Sequence, residues 1–262
     1  MKKYIAIFSV SLKQFRSYVY NFFGYLLLFP IDFILYFLLY SVMYSTGGSE
    51  IGGFSLAKAV GYAFLSIVVM QAMNSTPSSQ IENDIVQGDL TLHLIKPYNY
   101  LITLFCQLLP KSIIFLALGY STYIFCSFIF PFPSLSANTL LLIGITLVLS
   151  YIFTFLFYTC IGLISFWVGR SSYFRNITAI LILVFGGGFF PLTWFGEYFY
   201  AILRLFPFQY VVYIPVALSV GALEQNNILE ILLIEFFWLI IILFITVGAW
   251  KKGIKRFDAP GG

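Results

Sequence analysis

An all-α integral membrane protein with six transmembrane helices is predicted by three observations: long unbroken apolar runs, a scarcity of charge, and a lopsided placement of the charges that remain. The chain is 61% hydrophobic and only 9% charged, whereas soluble domains carry about 25% charged residues. Its apolar segments are continuous stretches of Leu, Ile and Phe. That is the pattern of spanning helices rather than of the ten-residue alternating strands of a barrel. The net charge of +4 requires no nucleic-acid partner; the positions of the charges matter more. The whole of 1–262 reads as a single transmembrane domain.

Residues 1–20, MKKYIAIFSVSLKQFRSYVY, begin like a signal peptide but lack a small-residue cleavage site. They predict an amphipathic interfacial helix, with Lys2, Lys3, Lys13 and Arg16 at the headgroups and Ile5, Phe8, Leu12 and Phe15 dipping into the acyl boundary. The first span runs from about Asn21 to Tyr44, interrupted near its middle by Pro30 and Asp32. A glycine-rich link, Thr46 to Gly53, leads to a second span from about Leu56 to Met73. After a polar interval, a third apolar run extends from Tyr100 to Phe130. This is too long for one straight crossing, so an interfacial turn is expected before Pro110 and Lys111. A fourth span, about Leu140 to Val168, is followed by the link GRSSYFRN, and the fifth, about Ile177 to Phe190, is short. Residues 191–227 are apolar and aromatic but broken at Pro191, Pro207 and Pro215. They predict a re-entrant external helical segment, allowed where protein rather than lipid covers the broken backbone. The last span, about Ile228 to Trp250, ends in the basic tail KKGIKRF.

Six spans place both termini on one side. With the N-terminus inside, twelve cations fall on the cytoplasmic face, and only Lys58 and Arg204 lie outside. That bias predicts a multi-pass protein of the cell membrane with both termini cytoplasmic. A seven-span alternative would export the basic tail. The Asn-x-Thr matches at Asn74 and Asn176 then lie on the cytoplasmic side and are chance matches.

The polar interval at 78–100, SSQIENDIVQGDLTLHLIKPYNY, contains Glu82, Asp84, Asp89 and the single histidine, His93. Ser78 or Ser79 can cap a short helix, with Glu82 at capping-box spacing from Ser79. Ile81 and Ile85 share a face, and Gly88 can end the turn. The segment reads either as a solvated connecting loop or as a docking helix with exposed acids. Two other places draw notice. Asp32 with Phe29, Phe33 and Tyr36 forms a candidate cargo path; alternatively, Asp32 caps backbone groups freed by Pro30 or pairs with a neighbouring span. Arg204 is expected either to pair with Glu235 or Glu230 or to snorkel to the outer surface.

Enzyme signatures are missing: the sequence has no GxxxxGK[ST] loop, HExxH, GxSxG or CxxC. Cys106, Cys126 and Cys160 have no partner at metal or disulfide spacing and read as small apolar residues. His93 reads as a surface side chain, and Gly186 to Gly188 as a site of close helix packing. A membrane-embedded enzyme would have only Asp32, Glu230 and Glu235 to work with. An ion-coupled carrier or channel would need a lined polar path, which about one acid per helix supplies poorly.

The order of these parts resembles the permease subunits of type-2 ABC exporters, the ABC-2 family. Ile81 to Tyr100, IENDIVQGDLTLHLIKPYNY, is similar to the family's acidic helix, glycine-Leu step and Leu-x-Lys-Pro return, and Phe189 to Gly221 is similar to its re-entrant segment. Gly196 departs from the proline expected after the Trp-Phe pair. The resemblance implies an exporter of an amphipathic or lipid-like small molecule, drug or peptide. It also implies a homo- or heterodimer of permeases in membrane lipid, with ATP and Mg held by a separate nucleotide-binding ATPase subunit. The chain itself would bind no cofactor, metal or nucleic acid. Ile81, Glu82, Asp84, Ile85, Gly88 and Asp89 would then form a cytoplasmic coupling segment.

Overall fold

A computed structural model of the protein describes residues 2–17, 19–48, 50–74, 77–132, 137–223 and 228–257. The side chains of Phe15 and Arg16 and residues 224–227 of the expected outer segment lie outside this description. Two helices open the chain, α1 (Lys2–Ser17) and α2 (Val19–Gly47). A two-stranded antiparallel hairpin follows, β1 (Glu50–Ile51) and β2 (Phe54–Ser55). Then come α3 (Leu56–Met73), α4 (Pro77–Val86), α5 (Leu90–Leu94), α6 (Tyr100–Ser127), α7 (Ala137–Leu163), α8 (Ser165–Val168) and α9 (Ser172–Phe185). Short helices α10 (Glu197–Leu203) and α11 (Tyr213–Ser219) precede the long α12 (Ile228–Ile254).

Among the described residues, five stretches are long and apolar enough to cross a membrane: Leu28–Gly47, Leu56–Val86, Tyr100–Ser127, Asn138–Val168 and Ile228–Ile254. The chain is a multi-pass membrane protein. The expected fifth span is not among these stretches, because α9 has only 14 residues, about 21 Å of helix against a hydrocarbon core of about 30 Å. The turn expected before Pro110 also does not form. α6 runs through Pro110 without interruption, as α2 runs through Pro30. Neighbouring helices support such a break: Pro110 is buried, and Ser112 Oγ donates to the Ala72 carbonyl of α3 at 2.6 Å.

The core is built around α3, whose Tyr62, Leu65, Val68 and Val69 are fully enclosed by α2, α6, α7 and α11. A side chain at Gly119 on α6 would meet Val68 at 2.1 Å, so the glycine sets how close α6 lies to α3. By contrast, α2 and α12 keep most of their apolar surface outward, through Leu35, Leu38 and Val42 and through Leu233, Phe237 and Phe244.

Contacts sort the elements into two ends. At one end, Lys3 Nζ donates to the Pro97 carbonyl at 2.6 Å, the Asn99 amide donates to Tyr4 Oη at 3.1 Å, and Phe166 of α8 meets Trp250 of α12. At the other, Tyr44 Oη donates to the Phe54 carbonyl at 2.7 Å, and Trp194 packs edge-on against Tyr40 and Phe54. Gly186 to Gly188 stop α9 rather than pack two helices. Gly187 takes a φ of +78°, and its carbonyl accepts from Tyr62 Oη at 2.6 Å. The Gly188 carbonyl accepts from Ser66 Oγ at 3.1 Å, so the turn is fastened to the middle of α3. Residues 207–213 return to the same level: the Tyr213 amide donates to the Gly186 carbonyl at 2.9 Å, and the Tyr210 carbonyl accepts from Ser150 Oγ of α7.

Candidate functional site

The polar interval folds as a block with one end fastened and one end free. α4 begins at Pro77, a residue suited to a first turn because it has no amide hydrogen to leave unpaired. Ser78 is not the expected exposed cap: it is fully buried and its Oγ has no partner among the described residues. The reason is the closeness of α7. A Cβ on Gly162 would lie 2.8 Å from Ser78 Cα and 3.0 Å from Ile81 Cβ, so the two helix backbones approach as only glycine allows. Ile81 and Ile85 then enter a small core with Leu90, Leu104, Phe155, Leu163 and Phe166.

The acids are used differently from one another. Glu82, 8% exposed, accepts from Arg175 Nη1 at 3.0 Å and from Ser171 Oγ at 3.0 Å, tying α4 to the start of α9. Asp84 accepts from Tyr100 Oη at the head of α6 and faces His93 Nε2 at 4.0 Å. Burial pushes its carboxyl above the usual range; the Tyr100 hydrogen bond and then His93 oppose that shift, and Asp89 adds to it. Tyr100 in turn stacks on Trp250, with ring centroids 5.5 Å apart and planes at 9°. His93 is therefore half-buried against Asp84 and the Tyr100 ring rather than a free surface side chain. Gly88, at φ +83°, turns the chain into α5.

The expectation of three exposed acids is corrected for Glu82 and Asp84, whose carboxylates hold the block in place. Only Asp89 faces solvent, and the tip around it is apolar: Val86, Leu92, Leu94 and Ile95 are exposed, Ile95 by 75%. The segment thus joins a fixed base to an exposed apolar tip.

The sequence pattern of the ABC-2 family transporter proteins matches residues 31–261. The chain belongs to that family. No curated protein matches it. As an ABC-2 permease it is the membrane component of an ABC transporter.

Elsewhere in the permease, the side chains singled out from the sequence are only partly brought together. Phe29 and Phe33 point into the core, edge-on against Phe64, with Phe29 also against Phe115 and Phe33 also against Phe132. They do not offer ring faces to a cargo. Asp32 and Tyr36 sit half-buried on the flank of α2. Arg204 pairs with neither expected acid: among the described residues it forms no ion pair, and its guanidinium lies 5.8 Å from the Tyr200 ring centroid. Glu235 is fully buried, and among the described residues neither of its oxygens has a hydrogen-bond partner. Glu230 is exposed in the first turn of α12. Glu235 turns into the interior near Tyr210, whereas Arg204 and Glu230 line a common cavity.

Sequence reading missed Ser171, Arg175, Tyr100 and Trp250 as members of the block. One signal was present. Glu82 lies three positions before Ile85, hence on the apolar side of α4, and a carboxylate there requires a partner.

Proposed function

We propose that this permease is the membrane subunit of an ATP-driven exporter, in which the 77–100 block receives the stroke of a separate ATPase subunit. The carrying observation is the fixed base and free tip: Glu82 with Arg175 and Ser171, Asp84 with Tyr100, and Ile81 in the small core join α4 to α6, α7 and α9. A push on Asp89, Leu92 and Ile95 moves those helices together. ATP and Mg are bound by the ATPase subunit, and two permeases, alike or different, enclose the path. The cargo is an amphipathic or lipid-like small molecule, drug or peptide.

The block, both termini and the Arg170–Arg175 link lie in the cytoplasm on this reading, as the placement of the cations favours. α9 and the residues after Gly188 then make the fifth crossing in two pieces. Residues 191–227 dip back from the outer face to the level of Gly186. The contacts of Tyr210 and Tyr213 with α7 and the Gly186 carbonyl support this return. Asp32 and Tyr36 are the accessible part of the cargo path. Asp32→Asn is expected to reduce export with assembly and basal ATPase rate intact; full export by that variant removes Asp32 from the path.

The test of the exporter reading is co-purification with the cognate ATPase subunit. Wild type is expected to retain it, and Leu92→Asp with Ile95→Asp to lower retention about tenfold, the loss expected of central apolar contacts. Equal retention by wild type and the double variant would contradict docking at this tip.

A further inference from the structure

Between the outer segment and α12 lies a cavity of about 600 Å³, within the size range of small-molecule sites. Arg204 lines it from the end of α10 and Glu230 from the first turn of α12. Here, among the described residues, each lacks an ion partner, so a cation and an anion are held on two walls of one cavity. Gln209 lies on its floor at 3% exposure. Its Nε2 donates to the Arg204 carbonyl at 3.0 Å and so holds the end of α10 at the cavity, while Oε1 is closed off from it. Ile231 and Ile234 make an apolar wall, and Ile202, Leu205 and Phe206 are exposed beside it, Leu205 by 72%.

We infer that this cavity binds the headgroup of a zwitterionic phospholipid with a primary ammonium, its phosphate on Arg204, its ammonium on Glu230, and its acyl chains along the Leu205 and Ile231 rim. Arg presents a planar fork to phosphate. A primary ammonium supplies hydrogens that the Glu230 carboxylate accepts, whereas a trimethylammonium has none to give. The apolar rim selects a lipid over a free headgroup, because a soluble zwitterion would leave that surface uncovered.

Native mass spectrometry of the purified full-length protein, with phosphatidylethanolamine and phosphatidylcholine of identical acyl chains in equal amounts, tests the assignment. Wild type is expected to retain the ethanolamine lipid about tenfold over the choline lipid, as a site built around hydrogen-bond acceptors discriminates. Arg204→Gln and Glu230→Gln, both at exposed positions, are each expected to abolish that preference with the unfolding temperature unchanged. Equal retention of the two lipids by wild type, or an unchanged preference in both variants, overturns the proposal. Displacement by glycerophosphoethanolamine at the same concentration as the lipid overturns its lipid part, since the free headgroup would then be the ligand.

Discussion

Glu82→Ala is expected to lower the unfolding free energy by roughly 1–3 kcal/mol, the cost of stranding a partly buried charged partner, and to uncouple ATP hydrolysis from transport. The side chains of Arg175 and Glu82 are 22% and 10% exposed, which keeps the figure below that of a fully buried pair. Arg175→Ala is expected to behave alike, because the carboxylate then keeps only Ser171 as a donor. The double variant separates the pair from its members: less than the sum of the two single losses is expected, with a coupling energy of about 1 kcal/mol or more. Thermal unfolding in detergent and the ratio of cargo moved to ATP hydrolysed give the two readouts. Strict additivity would mean that the two side chains act independently.

A larger functional loss is expected from Gly162→Leu. The added Cβ alone would stand 2.8 Å from Ser78 Cα, a backbone atom that cannot swing aside, so α4 must leave α7 and carry Glu82 away from Arg175. Overpacking costs about 1–3 kcal/mol, and transport is expected to fall to background because the block loses its base. Gly144 on the same helix is the control, having nothing within 4 Å of its would-be Cβ. Gly144→Ala is expected to be neutral or to stabilise by up to about 1 kcal/mol through helix propensity. If Gly162→Leu transports as well as Gly144→Ala, α4 is not held by close backbone approach.

The spans and the block were legible in the sequence to the extent that one-dimensional patterns determine them. Continuous apolar runs mark α2, α3, α6, α7 and α12 within a few residues, since length and hydropathy are sufficient to define a crossing. Pro110 misled because a proline inside an apolar run reads as a break, whereas packing against α3 keeps α6 helical. Whether α9 crosses is not written in its 14 residues; the Gly186–Gly188 turn is fastened by Tyr62 and Ser66, over a hundred positions away. The acids of the block looked alike in sequence. Which of them is exposed depends on the rotation of α4 against α7, and that rotation is set by Gly162 and by the reach of Arg175. The pairing expected for Arg204 failed for a similar reason: Glu235 turns inward on α12, and Glu230 stands across a cavity.

Cross-linking between the tip and the ATPase subunit tests the central claim most directly. Single cysteines are introduced at Leu92 and Ile95, and at Tyr198, which is 93% exposed, lies in α10, on the outer side in the proposed topology, and serves as the comparison. The native Cys106, Cys126 and Cys160 are free and partly buried, so wild type measures their background. Leu92→Cys and Ile95→Cys are expected to cross-link to the ATPase subunit with a yield that changes on adding ATP, and Tyr198→Cys to stay at background. No cross-link at either tip position, or an equal yield at Tyr198→Cys, would contradict the account.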